Sequence, residues 1–169
     1  SERILGAALA SVRDRAVLAT KAPSHLLQYD QVIESCHRSL ENLRTDYIDL
    51  YQIHRPQSDI PIDETLRALD DLVRAGKVLY IGVSDTPTWV VARANTLAEL
   101  RGWNRFIALQ VEYSLVERTS ERELIPMAHA MNLGITAWSP LGSGLLTGKY
   151  TRPAAPEGER RLDNTAFKE

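Results

Sequence analysis

The sequence is short of several things, and each shortage removes a class of function. It has one cysteine, Cys36, so no internal disulfide can form and a reducing compartment, the cytoplasm, is the default expectation. No apolar run approaches the ~18 residues that a membrane span needs. No basic segment followed by an apolar one marks a secretory signal. Excess charge is lacking too: 20 Lys and Arg against 22 Asp and Glu leave a formal net charge of −2. That balance offers no general attraction to nucleic acid or to an anionic membrane. His25, His37 and His129 show no H-x-x-x-H or similar metal-ligand spacing, so no metal site is expected. No G-x-G-x-x-G follows any strand-like run, which argues against an open dinucleotide-binding sheet.

What is present reads as one α/β domain. Strand-like runs occupy 16–21, 47–54, 78–84, 107–113 and 135–139. Helical spacing fills the gaps between them. Ile33, Cys36, Leu40 and Leu43 form one apolar stripe, and Leu66, Leu69 and Val73 form another. Cys36 thus reads as core. Asp63 is placed to cap a helix running to Gly76, and Thr86 to cap one with Pro87 at its first position. Ser120 to Glu123 spells a capping box, with Gly134 suited to the left-handed residue that ends that helix.

Strands alternating with helices imply a parallel sheet covered by helices. The last polar residues of the five runs are Lys21, His54, Ser84, Gln110 and Ser139, spaced 26 to 33 residues apart. One βα unit following another at that near-constant period puts all five on the carboxyl edge of the sheet, where α/β folds bind ligands. With no dinucleotide fingerprint, a TIM-type (β/α)8 barrel is favoured. A barrel of that kind needs eight strands and typically ~250 residues, so five strands read as a partial barrel, about strands 3–7, filling residues 1–169 as a single domain. The stretch 153–161 is rich in proline and charge, and 151–169 reads as a mobile loop.

The segments "VLATK" (17–21), "DYIDLYQIHRP" (46–56), "AGKVLYIGVSD" (75–85), "LQVEYSL" (109–115) and "WSPLGSGLLTGKY" (138–150) resemble consecutive motifs of the aldo-keto reductase family. They occur in the family's order and spacing across nearly the whole chain. The resemblance implies a (β/α)8 barrel binding NADP(H) in extended form, and reversible hydride transfer between the nicotinamide and a small-molecule carbonyl. By the same resemblance Lys21 and His54 match two members of the catalytic tetrad of Asp, Tyr, Lys and His. "SERILGAAL" resembles the point just after the tetrad tyrosine, so the Asp and Tyr, with the first two strands, are expected upstream of Ser1, and the final strand after Glu169. The isolated segment is accordingly expected to be inactive and poorly stable.

The implied chemistry accounts for the residue types. Carbonyl reduction leaves charge on oxygen, and a proton donor meeting it is worth ~10²–10⁴ in rate. Tyrosine, with an unperturbed pKa near ~10, needs a neighbouring ammonium to lower it. Lys21 supplies that charge in this reading, and His54 hydrogen-bonds the substrate oxygen. Against it stand a snorkelling surface lysine and a structural histidine.

For the cofactor, Ser84, Asp85 and Gln110 match the positions that hold the nicotinamide carboxamide, with Asp85 replacing the family's commoner asparagine and losing its NH₂ donor. Capping the helix after Thr86 is the competing role for Asp85; Gln110 also fits a core amide. Trp138 matches the ring that stacks on the nicotinamide, or else it packs in the core. Ser139, Pro140, Leu141, Gly142 and Ser143 belong to the stretch that wraps the pyrophosphate with backbone amides. Lys149 is either a phosphate contact or a solvated lysine. Two rival functions remain: a non-catalytic NADP-binding regulatory subunit on the same fold, as in potassium-channel β subunits, and a barrel aldolase with Lys21 as Schiff base. Arg55 stands where many relatives have Trp, so substrate preferences do not transfer.

Overall fold

Five parallel strands lie side by side in the order in which the chain makes them. The computed structural model describes residues 1–150; the proposed mobile loop at 151–169 lies outside the described residues. The strands are β1 (Ala19–Ala22), β2 (Ile48–Ile53), β3 (Val78–Ser84), β4 (Phe106–Glu112) and β5 (Gly134–Trp138), in the order β1-β2-β3-β4-β5. A doubly wound sheet reverses direction at a switch point; this one never does. Right-handed crossovers that always step in one direction put every connecting helix on the same face. The helices are α1 (Glu2–Leu9), α2 (Tyr29–Leu43), α3 (Ile62–Arg74), α4 (Thr88–Arg101) and α5 (Leu124–Ala130). The result is an arc of a (β/α) barrel with β1 and β5 as its edges.

Register shows which side chains share a face. In a parallel pair, aligned residues point the same way. Thr20 aligns with Tyr51 and Ile81, and Ala22 with Ile53 and Val83. Most of this set is buried, and it forms the core against Val32, Cys36, Leu40, Leu66, Leu69 and Val91 of the helices. The opposite face carries Lys21 aligned with Gln52, and Gln52 aligned with Gly82. That is the concave side, where Tyr80 is left 56% exposed.

Helix ends differ from the sequence expectations in instructive ways. Asp63 lies inside the first turn of α3, after Pro61, and pairs with Arg101 instead of capping. Thr86 does not cap α4; its hydroxyl donates to the Ser84 carbonyl at 2.9 Å, and the helix follows Pro87. The Ser120–Glu123 box does not form, because Ser120 Oγ donates to Glu112 O and a 3-10 turn occupies Thr119–Glu121. Asn132, not Gly134, takes the left-handed conformation (φ 55°) after α5, and Gly134 opens β5. The first strand starts at Ala19, three residues late, because Arg13 draws the preceding segment into a 3-10 turn. Its guanidinium binds Asp49 at 2.7 Å and the Ala16 and Tyr47 carbonyls. Apolar periodicity does not report contacts of this kind.

Two further features tie the arc together. Asn95 on α4 grips β4 at both ends of one amide, donating to Phe106 O and accepting from Phe106 N–H at 2.9 Å. Gly82 lies beneath the Gln52 side chain at an irregular point in the β3–β4 pairing, where a Cβ would stand 2.8 Å from Ala108 O and 3.3 Å from Gln52 Cγ. Only glycine fits there without movement.

Candidate active site

The site begins where the ladders run past the strands. His54 N–H donates to Ala22 O at 3.1 Å, one residue beyond β2, and Asp85 N–H donates to Gln110 O at 3.0 Å beyond β3. These bonds hold the first loop residues in line with the sheet, so their side chains start from fixed positions. Ser84 aligns with Gln110, Gln110 with Thr136, and Glu112 with Trp138. His54 lies two positions after Gln52 and Trp138 two after Thr136, so Lys21, His54, Ser84, Gln110 and Trp138 all belong to the concave face.

They meet. One cavity of about 240 Å³ at the carboxyl end of the strands is lined by Lys21, His54, Arg55, Ser84, Asp85, Gln110 and Trp138. Residues scattered over most of the chain converge there, six of them singled out from the sequence. A second, larger cleft of about 560 Å³ shares Lys21 and His54 and extends toward Glu2, Ser35 and Arg38. Lys21 and His54 stand between the two.

Inside the smaller cavity some polar groups are occupied and others are open. Asp85 is occupied: Oδ1 accepts from the Trp138 indole N–H at 2.9 Å, and Oδ2 faces Arg55 Nε at 3.5 Å. It makes no bond that caps α4. Its backbone is left-handed at φ 44°, a conformation that non-glycine residues adopt rarely outside aspartate and asparagine. Among the described residues the Lys21 ammonium, the Ser84 hydroxyl and the Gln110 amide have no side-chain partner. Next to the site, the Glu112 carboxyl is raised from its ordinary value by burial and by the charges of Glu117 and Asp85.

The glycine-rich stretch does not line this cavity. Ser139, Pro140 and Leu141 turn away from the end of β5, with Ser139 left-handed at φ 51°. A 3-10 segment, Gly142–Thr147, follows, in which Gly142, Ser143 and Gly144 all have positive φ. Positive φ at Gly142 and Gly144 gives the segment a backbone reason for glycine at those two positions. Several of its amides are already spent locally, Gly142 N–H on Ser139 O at 2.8 Å and Gly144 N–H on Leu141 O at 3.1 Å. Lys149 folds back over Gly144 and lies 5.3 Å from the Tyr150 ring centre.

A profile of the Aldo/keto reductase family matches residues 1–168. The chain belongs to that family. The strand order and one-sided helices are those of an arc from the family's (β/α)8 barrel. Among curated relatives, an aldo-keto reductase of Fusarium vanettenii is 38% identical over 152 residues, covering 88% of this chain and 40% of the relative. Norsolorinic acid reductase of Emericella nidulans is 39% identical over 178 residues, covering 96% and 46%. An aryl-alcohol dehydrogenase [NADP(+)] of Phanerodontia chrysosporium is 41% identical over 128 residues, covering 76% and 32%. The chain spans less than half the length of these relatives.

Sequence reasoning found the lysine and the histidine but did not count Arg55 as part of the site. Its place directly after His54 at a strand end was the available signal. The Asp85–Trp138 bond had no local signal, since 53 residues separate the partners.

Proposed function

We propose that this aldo-keto reductase family member is an NADP(H)-dependent oxidoreductase that reduces aldehydes and ketones to alcohols. The observation that carries the reading is the convergence of Lys21, His54, Ser84, Gln110 and Trp138 on one cavity at the carboxyl end of a parallel sheet. The cavity suits a nicotinamide carboxamide. Ser84 offers a hydroxyl, and Gln110 offers both a donor and an acceptor, with neither tied to a neighbour among the described residues. When bound, a reduced nicotinamide supplies the hydride. NADP, rather than NAD, rests on the family and on the cofactor in the aryl-alcohol dehydrogenase's name.

In this reading the Lys21 ammonium favours the ionised form of a tyrosine acid beside it and so lowers that acid's pKa. His54 donates to the carbonyl oxygen and orients it. Trp138 walls the ring pocket, its edge held by Asp85. Asp85 positions the indole through Oδ1 and pairs with Arg55 through Oδ2, and its remaining lone pairs can still accept from the carboxamide NH₂. Ser139 to Ser143 and Lys149 flank the pyrophosphate. The buried Cys36 thiol accords with a cytoplasmic setting.

The test is NADPH consumption by the full-length protein with a panel of aldehydes. Lys21→Met is expected to lower kcat by ~10²-fold or more and His54→Ala to lower kcat/KM by a similar factor, with NADPH affinity little changed. Borohydride trapping of a substrate on Lys21 would instead support a Schiff-base aldolase and sink the reductase.

A further inference from the structure

Arg55 is the cavity residue that the proposed reaction leaves without a task. It sits directly after His54, lines the same cavity, and pairs with Asp85, the shortest approach being Nε to Oδ2 at 3.5 Å, its side chain 63% exposed. Among the described residues its two terminal nitrogens donate to nothing. With no hydrogen bond spent there, Nη1 and Nη2 form the edge of a guanidinium that binds a carboxylate with two parallel hydrogen bonds. Asp85 in turn is held by the bond its other oxygen accepts from the Trp138 indole N–H. The guanidinium at the cavity is therefore paired with a carboxylate that is itself bonded to Trp138.

Charge points the same way. Lys21 and Arg55 bring two positive charges to the cavity against one from Asp85, and His54 adds a donor. Glu112 interacts electrostatically with Asp85 but does not line the cavity. A neutral aldehyde would leave the Arg55 fork hydrated and unused. A carbonyl compound carrying a carboxylate would engage it.

We propose that Arg55, paired with Asp85, is a specificity-determining residue that selects carbonyl substrates bearing a carboxylate. This rests on the reductase reading above and names its substrate class. A lysine cannot replace the fork, since an ammonium is a point charge without planar geometry.

The experiment compares kcat/KM of the full-length protein for 2-, 3- and 4-carboxybenzaldehyde with the matched methylbenzaldehydes. The best acid is expected to exceed its neutral partner by about tenfold, through KM. Arg55→Met is expected to erase that preference while lowering the neutral substrates by a smaller factor, and Arg55→Lys to restore only part of it. The advantage should shrink as salt is raised. Equal loss on acids and neutrals in Arg55→Met, or no preference in the wild-type protein, would overturn the proposal. Benzoate binding to the NADP⁺-loaded protein separates the two readings. Arg55-dependent benzoate binding without turnover of any aldehyde would sink the reductase and keep the anion site, whereas turnover with benzoate binding indifferent to Arg55 would do the reverse.

Discussion

The indole nitrogen of Trp138 donates to Oδ1 of Asp85 across 2.9 Å, joining the end of β5 to the end of β3. The aspartate is left-handed, and the tryptophan ends a strand whose other residues are largely exposed. The bond fixes the ring on the cavity wall.

Replacing Asp85 should separate positioning from binding. Asp85→Asn retains a carbonyl oxygen for the indole and should leave the Trp138 emission near that of the wild type. Asp85→Ala removes the acceptor, should shift that emission, and should weaken NADPH binding about fivefold, from the ~1 kcal/mol that a positioning hydrogen bond contributes. Fluorescence difference spectra against Trp138→Phe, with NADPH titration, read both effects.

Two glycines should resist substitution for steric reasons. A Cβ at Gly6 would lie 2.6 Å from Asn42 O and from the Leu43 carbonyl, so Gly6→Ala should push α1 off the end of α2 and cost roughly 2–3 kcal/mol. Gly82→Ala should cost less, about 1–2 kcal/mol, because Gln52 can move although Ala108 O cannot. Thermal unfolding of the two variants gives the ranking, and an inverted order would show that α1 tolerates displacement.

Asp70 should make stability sensitive to acid. It is fully buried and accepts from Asn104 N–H and Nδ2 at 2.8 Å and from Arg74 Nε at 2.6 Å. Burial alone would raise its carboxyl; the Asn104 backbone bond, Arg74 and the Asn104 amide outweigh that and lower it. A depressed native value means the stabilisation is complete above the unfolded carboxyl's pKa, near ~3.9, and is lost as pH falls through the native value. Urea midpoints should therefore drop below about pH 4, and Asp70→Asn should flatten that part of the curve while lowering the midpoint at neutral pH.

Cys36 should be inert in the native protein. Burial pushes its thiol up to about 12, and no part of the side chain reaches solvent. Since the unfolded thiol ionises near ~8.5, the unfolded chain releases its proton first. Stability from this group is full below that value and falls as pH rises from there toward 12. Peptide mass spectrometry after iodoacetamide should show Cys36 unmodified at pH about 8 and alkylated once urea unfolds the chain. Alkylation without urea would mean that α2 opens readily.

Much of the site was legible in the sequence because period and register are local. The spacing of Lys21, His54, Ser84 and Gln110 follows from repeated βα units, and parallel pairing then puts them on one edge. Ser139 was legible only as a strand end; its positive φ carries the chain out of the cavity. The capping roles of Asp63, Thr86 and Ser120 failed for a common reason: each side chain found a partner across the fold or along the backbone that competes with the helix end. Asn95, which clamps β4 from α4, looks like an ordinary helix residue until both elements are in place.

The sequence by itself determined the alternation of strands and helices, the buried stripes, and which residues end the strands, because these depend on hydrophobic period and on a side-chain direction that repeats every two residues along a strand. Only the tertiary structure decided that Asp85 serves Trp138 and Arg55, that Gly82 makes room for Gln52, and that the loop after β5 spends several of its own amides. Those outcomes depend on distances between residues far apart in the chain, and only the arc's curvature sets such distances.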